Sequence, residues 1–231
     1  MNIIRLPLGD YQTNTYILYA DGCESCLVID PGYEAQTILA QTQSIGRKVE
    51  AILLTHGHFD HVGAVKTIAA ETGCRVFIDP AEDTMPRMFT AGALYYTDTY
   101  HEGDTFTLAG LTFCVLSTPG HTPGSVCLDF GEDLFTGDTL FAGSCGRTDL
   151  PGGNGHQMRQ SLLRLSAIHK PLKIYPGHGE GSDLDHEKRF NPYLGAAYET
   201  ASDRSPRPVC RGAASACSVP SGAHGIHRSS L

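Results

Sequence analysis

The stretch "THGHFDH", Thr55 to His61, places three histidines and an aspartate in seven residues directly after the apolar run "AILL". A solvated turn gains nothing from this density of imidazole, whereas a metal site is built from it. In an extended turn alternate residues project to one side, so His56 and His58 share a direction. Asp60 and His61 fall at the start of the next helix and aim at a different point. The spacing can therefore serve one metal with the first pair and a second metal with the other.

Working outward, further donors stand where turns follow strands. "TPGHTPGS" carries His121 in a Pro/Gly loop after "FCVL", "LFTGDTLF" carries Asp138, and "KIYPGHG" carries His178. A lone histidine after a strand is more often structural than a ligand. Together with the first stretch, however, these give seven nitrogen and oxygen donors at strand ends, which a sheet can bring to one rim.

The rest of the chain repeats a rhythm of short strands and single helices. "NIIRLPL", "NTYILYA" and "LVID" precede a helical pattern at "AQTILAQTQSIG"; "AILL", a helix over "HVGAVKTIAAETG" and the strand "RVFID" follow. A second half runs through "DTFTLAG", "LTFCVLS", "SVCLDF" and "DLFTG" to the helix "HQMRQSLLRLSAIH" and the strand "KIYPG". Met158, Leu162 and Leu165 recur there at helical spacing and read as core. Several strands per helix, in two successive halves, predict an α/β sandwich with sheets packed together and helices outside. Between the halves, Tyr95, Tyr96 and Tyr100 either line an entrance or anchor a long insertion, and His101 reads as a local hydrogen-bonding residue.

Composition narrows the function. With 17 Lys+Arg against 25 Asp+Glu, the net charge of −8 disfavours a phosphate-tracking groove and hence a nucleic-acid partner. No stretch approaches the apolar length of a membrane span, and "MNIIRLPLGD" has no basic leader, so a cytoplasmic protein without a membrane partner is expected. The eight cysteines are expected to be reduced. "CESC", Cys23 to Cys26, has redox-motif spacing but sits in a hairpin turn, while Cys74, Cys114 and Cys127 read as buried packing. A domain over residues 1–199 is expected, followed by a tail over 200–231. From Thr200 that tail has no aromatic residue and is rich in Ser, Ala, Gly, Pro and Arg, a composition that predicts disorder and contrasts abruptly with the body, as a frame shift or an expression scar would.

"THGHFDH", "TPGHTPGS", "LFTGDTLF" and "YPGHG", in this order, resemble the metallo-β-lactamase fold superfamily and specifically its glyoxalase II-like hydrolases. The likeness extends from Met1 to Leu194. It implies a four-layer αββα sandwich with a dinuclear site between the sheet edges. Carried over by motif, His56, His58 and His121 would hold the first metal, Asp60, His61 and His178 the second, and Asp138 would bridge them. Asp30 in "VIDPG" and Thr55 either hydrogen-bond ligating histidines or shape turns.

The donor set combines imidazole with carboxylate and has no thiolate, which fits zinc, iron or manganese without selecting one strongly; two divalent ions are expected, zinc first. Two divalent ions sharing a carboxylate can share a water, bring its pKa towards neutrality and present it as the nucleophile, with Asp60 orienting it. A thiol leaving group needs little protonation, whereas an amine needs a general acid, which favours a thioester such as a hydroxyacylglutathione as the small-molecule substrate. Arg147 in "GSCGRTDLPGGN" matches a position where glutathione-handling members carry a cation for the substrate carboxylate; alternatively it pairs with Asp149. "CGRTD" also resembles the persulfide dioxygenases of the superfamily, mononuclear iron enzymes that would use His56, His121 and Asp138. Lactonases sharing "HxHxDH" form a third alternative.

Overall fold

The computed structural model describes residues 1–194 of the chain. The expected boundary at residue 199 and the tail from Thr200 lie outside the described residues.

Strand β1 (Asn2–Leu8) pairs antiparallel with β2 (Thr13–Tyr19), and β2 with β3 (Ser25–Ile29). The "CESC" motif occupies the β2–β3 hairpin. Helix α1 (Ala35–Ser44) then crosses over to β4 (Lys48–Leu53), which lies parallel to β3. Helices α2 (Phe59–Val62) and α3 (Val65–Thr72) lead to β5 (Arg75–Ile78), and a short β6 (Asp98–Thr99) completes a six-stranded sheet in the order β1-β2-β3-β4-β5-β6.

The second sheet is built from β7 (Thr105–Leu108), β8 (Leu111–Ser117), β9 (Val126–Asp129) and β10 (Asp133–Gly137), with β13 (Lys173–Pro176) and β14 (Ser182–Asp183) added after helix α4 (Gly155–Ser166). A small ribbon of β11 (Leu140–Phe141) and β12 (Ser144–Cys145) stands apart, and α5 (Leu184–Phe190) follows β14. The six main strands run in the order β14-β13-β10-β9-β8-β7.

Side-chain alternation sorts the residues into three apolar layers, as a two-residue strand period requires. Tyr16, Leu18, Leu53, Phe77, Phe113, Val115, Leu128 and Phe135 point between the sheets. Their neighbours Ile17, Ile52, Val76 and Ile78 point outward to Ile38 of α1 and Ile68 of α3. On the other side Cys114, Leu116, Cys127 and Leu134 meet Met158, Leu162 and Leu165 of α4 and Leu184 of α5. The result is a helix–sheet–sheet–helix sandwich, the architecture expected from the sequence. Fully burying each of Phe77, Phe113 and Phe135 contributes about 2–3 kcal/mol, so the inter-sheet layer is a principal source of stability.

The sequence predicts one continuous helix from His61 to Gly73, and the structure breaks it. Gly63 lies so close to the β3–α1 loop that a Cβ there would sit 2.4 Å from the Gly32 carbonyl oxygen. The Ala64 amide donates to Pro31 O at 3.0 Å instead of continuing the helix. This contact between the two loops ends α2 early and fixes Asp60 and His61 against the end of β3.

Of the insertion tyrosines, Tyr100 is fully buried with its hydroxyl donating to Leu54 O, and the Tyr96 hydroxyl donates to Asp83 at 2.6 Å. Both anchor the insertion, while Tyr95 and His101 are exposed. Cys23 and Cys26 are free thiols. Burial pushes the Cys26 thiol up to about 12, against a weaker lowering by Arg47, and this is the opposite of what a redox thiol needs. Among the described residues no helix is long and apolar enough to cross a membrane.

Candidate metal centre

The site lies where several strands end on the same side. β3 and β4 are parallel, as are β10 and β13, and β8 runs with β10 because both are antiparallel to β9. Asp30 follows β3, the "THGHFDH" turn follows β4, His121 follows β8, Asp138 follows β10 and His178 follows β13. In open α/β sheets such carboxyl-terminal edges form the usual crevice for ligands.

Three groups of donors converge there: His56, His58 and His121 in one, Asp60, His61 and His178 in another, and Asp30, His56 and His61 in a third that overlaps both. Asp138 stands between the first two, with Oδ2 3.4 Å from His121 Nε2 and 3.6 Å from His178 Nε2, and Oδ1 3.5 Å from His61 Nε2. All seven residues singled out in the sequence are thus brought together.

Each histidine but His58 is held by a partner on its Nδ1 edge. The Thr55 hydroxyl lies 3.0 Å from His56 Nδ1, Asp30 Oδ2 3.0 Å from His61 Nδ1, the Arg147 carbonyl 2.8 Å from His121 Nδ1 and the Tyr11 carbonyl 3.1 Å from His178 Nδ1. Since a carbonyl or carboxylate only accepts, and Thr55 already donates its hydroxyl to Asp30 at 2.6 Å, these Nδ1 atoms carry the proton. Each Nε2 then faces inward. His61 Nε2 and His178 Nε2 face each other at 3.3 Å, and His121 Nε2 faces His58 Nδ1 at 2.8 Å.

Ring nitrogens and carboxylate oxygens gathered this closely are satisfied together by a cation placed among them, and this is how the residues fit a metal. Among the described residues His56 Nε2, His58 Nε2 and Asp138 Oδ1 are buried without a hydrogen-bond partner, an expensive arrangement that a bound cation relieves at His56 and Asp138. The electrostatics agree. Burial opposes charge on His61, yet Asp138, Asp30 and Asp60 outweigh it and raise that imidazole to about 10, so the pocket favours a positive charge. Burial, followed by His121 and His61, lowers His58 to about 4 and leaves it a neutral donor. Burial pushes the Asp60 carboxyl up, but His178, His61 and Thr13 hold it well below the usual carboxylate range.

The sequence left Asp30 and Thr55 open between support and turn formation, and they support the site. Asp30 receives the Thr55 amide at 2.8 Å as well as its hydroxyl, from a left-handed backbone with φ 49°. Several other contributors have no motif. Thr13 donates its hydroxyl to Asp60 Oδ2 at 3.1 Å, and Asn14 ties the His178 loop through Pro176 O at 2.9 Å and Gly179 O at 2.8 Å. Tyr16 reaches Pro176 O at 2.7 Å. Glu82, fully buried, receives the Gly57 and Gly124 amides at 2.7 Å each.

Arg147 lies on the rim. Its guanidinium pairs with Asp149 through Nε and Nη2 at 2.7 Å each, both side chains being exposed. With Cys145, Gly146, Arg159 and Tyr193 it lines a pocket of about 550 Å³. That pocket adjoins the centre, because the Arg147 carbonyl holds His121 and a Cβ on Gly146 would stand 3.3 Å from His121 Nδ1.

A sandwich with His/Asp donor groups at the carboxyl ends of its strands defines an α/β protein built to hold metal ions. The chain belongs to the metallo-beta-lactamase superfamily, whose sequence model matches residues 8–178. It is 32% identical to the hydroxyacylglutathione hydrolase GloC of Haemophilus influenzae, over 84% of this chain and 98% of that one. Among solved structures it is similar to TTHA1623 in a di-iron-bound form (37% identity, TM-score 0.72, covering 83% of this chain and 100% of the other). It is also similar to ETHE1 from Myxococcus xanthus (28% identity, TM-score 0.75, covering 90% and 93%).

Proposed function

We propose that the protein is a cytoplasmic dinuclear metal-dependent hydrolase that cleaves a thioester such as a hydroxyacylglutathione. The observation that carries this reading is the pair of donor groups on either side of Asp138. His56, His58 and His121 would hold one divalent ion, Asp60, His61 and His178 the other, and Asp138 would touch both. When bound, such a pair supplies Lewis acidity and an activated water at neutral pH. Zinc suits the donors first, and iron or manganese also fit.

The chain's own residues do the rest. Thr13 and His178 fix Asp60, whose ionised carboxylate is held to orient the attacking water. Arg147 and Arg159 supply positive charge in the rim pocket, where a thioester's carboxylates would compete with Asp149 for the Arg147 fork. The net acidic chain favours such a small molecule over nucleic acid. The likeness to GloC supports the same substrate class.

A second reading rests on "CGRTD" and its resemblance to the persulfide dioxygenases: mononuclear iron oxygenation of a persulfide, with His56, His121 and Asp138 as the metal-holding set. Metal analysis of the purified protein, with S-lactoylglutathione hydrolysis and oxygen uptake on glutathione persulfide assayed side by side, separates the two. Two metals with thioester cleavage, lost in His58→Ala, are expected. One iron with oxygen consumption sinks the hydrolase reading.

A further inference from the structure

We propose that Glu82 is a positioning residue that sets the spacing of His56, His58 and His121 by joining their two loops through one buried carboxylate. Its two oxygens are divided between the loops. Oε2 accepts the amide of Gly57, the residue between His56 and His58, and Oε1 accepts the amide of Gly124, three residues after His121. Glu82 itself stands on a short 3-10 turn, Pro80–Thr84, which Asp79 caps by accepting the Ala81 amide at 2.9 Å. The carboxylate is therefore held from behind while it holds both loops in front.

The local sequence is shaped to admit it. A Cβ on Gly57 would sit 2.8 Å from Glu82 Oε2, and one on Gly124 would sit 2.9 Å from Oε1. Glycine at both places lets the backbone amides approach the carboxylate. The loops that it joins supply His58 Nδ1 and His121 Nε2, which stand 2.8 Å apart.

Stability alone does not account for a carboxylate here. Glu82 is fully buried, and among the described residues no ion pair involves it, so its desolvation is met by neutral donors, the Thr122 side chain and the Gly57 and Gly124 amides. A well-packed apolar side chain fills such a position at lower cost. What an apolar residue lacks is two acceptors diverging towards two separate loops. A glutamine also fails, because its amide nitrogen would face one of the backbone N–H groups.

This inference rests on reading His56, His58 and His121 as a metal-holding set, and one titration tests both. Apo protein is titrated with Co²⁺ while the visible spectrum and the two binding steps are followed, for the unaltered chain, Glu82→Gln and Asp129→Asn. Asp129 is also buried, paired with Lys170 at 2.8 Å at the other end of β9, and reports general loss of stability. Failure of the unaltered chain to bind Co²⁺ overturns the metal reading itself. With binding intact, Glu82→Gln is expected to weaken one step about 10–100-fold and change its spectrum, leaving the other step in place. Asp129→Asn is expected to lower the melting temperature without altering either step. Unaltered steps and spectrum in Glu82→Gln, or the same change in Asp129→Asn, overturn the proposal. Should Glu82→Gln fail to fold, Gly124→Ala disturbs the same bond from the loop side, and unaltered Co²⁺ binding there overturns it equally.

Discussion

Asp30 Oδ2 lies 3.0 Å from His61 Nδ1, and the same oxygen accepts the Thr55 hydroxyl that stands against His56 Nδ1. One carboxylate thus aims an imidazole in each donor group. Asp30→Asn keeps the size of the side chain and tolerates the left-handed backbone. Its amide must place an N–H where an acceptor is needed. Metal affinity is expected to fall about 10–100-fold with secondary structure unchanged. Competition against a chelator, read beside circular dichroism, checks both.

A second expectation concerns Gly177 of "YPGHG". A methyl there would lie 2.2 Å from Asp138 Oδ1 and 2.7 Å from His61 Cε1, so Gly177→Ala must displace the carboxylate that stands between the groups. A shift of about 1 Å at such a centre costs on the order of 100-fold in rate. Thioester turnover of the purified variant measures this, and a rate within a few-fold of the original refutes the central placement of Asp138.

What the sequence disclosed and what it withheld differ in kind. His56, His58, Asp60 and His61 are legible because their spacing is local, and His121, Asp138 and His178 because each follows a recognisable strand. The sandwich is legible from strand alternation, as at Phe113 and Cys114, which face opposite layers. Glu82 leaves no such trace: its partners are backbone amides 25 and 42 residues away, and "DPAED" reads as an ordinary turn. Asn14 reaches carbonyls 162 and 165 residues on. Contacts from a side chain to distant backbone carry no periodicity, and only the folded chain displays them.

Arg147 separates two roles that the sequence left open. If its guanidinium serves only to shape the loop with Asp149, then Arg147→Ala and Asp149→Ala should have the same effect, since each breaks the 2.7 Å pair. If it also meets the substrate, the two diverge. Arg147→Ala is expected to raise KM for an anionic glutathione thioester about 10-fold, the loss of one charge-assisted contact, with kcat little changed. Asp149→Ala frees the fork and leaves KM the same or lower. Parallel effects on KM refute the substrate contact.

The cysteines give a prediction independent of catalysis. Burial pushes the thiols of Cys26 and Cys127 up to about 12, opposed in Cys26 by Arg47 and in Cys127 by Thr118. Only the thiolate reacts with alkylating agents, and a thiol so raised is ionised to roughly one part in 10,000 at pH 8. Both are also shielded, with no exposure of either side chain. Iodoacetamide at pH 8 is therefore expected to leave Cys26 and Cys127 unmodified in the native protein and to label them once it is unfolded, as peptide mass spectrometry would read. Rapid native labelling of Cys26 would mean that the β2–β3 hairpin opens and that "CESC" is available for thiol chemistry after all.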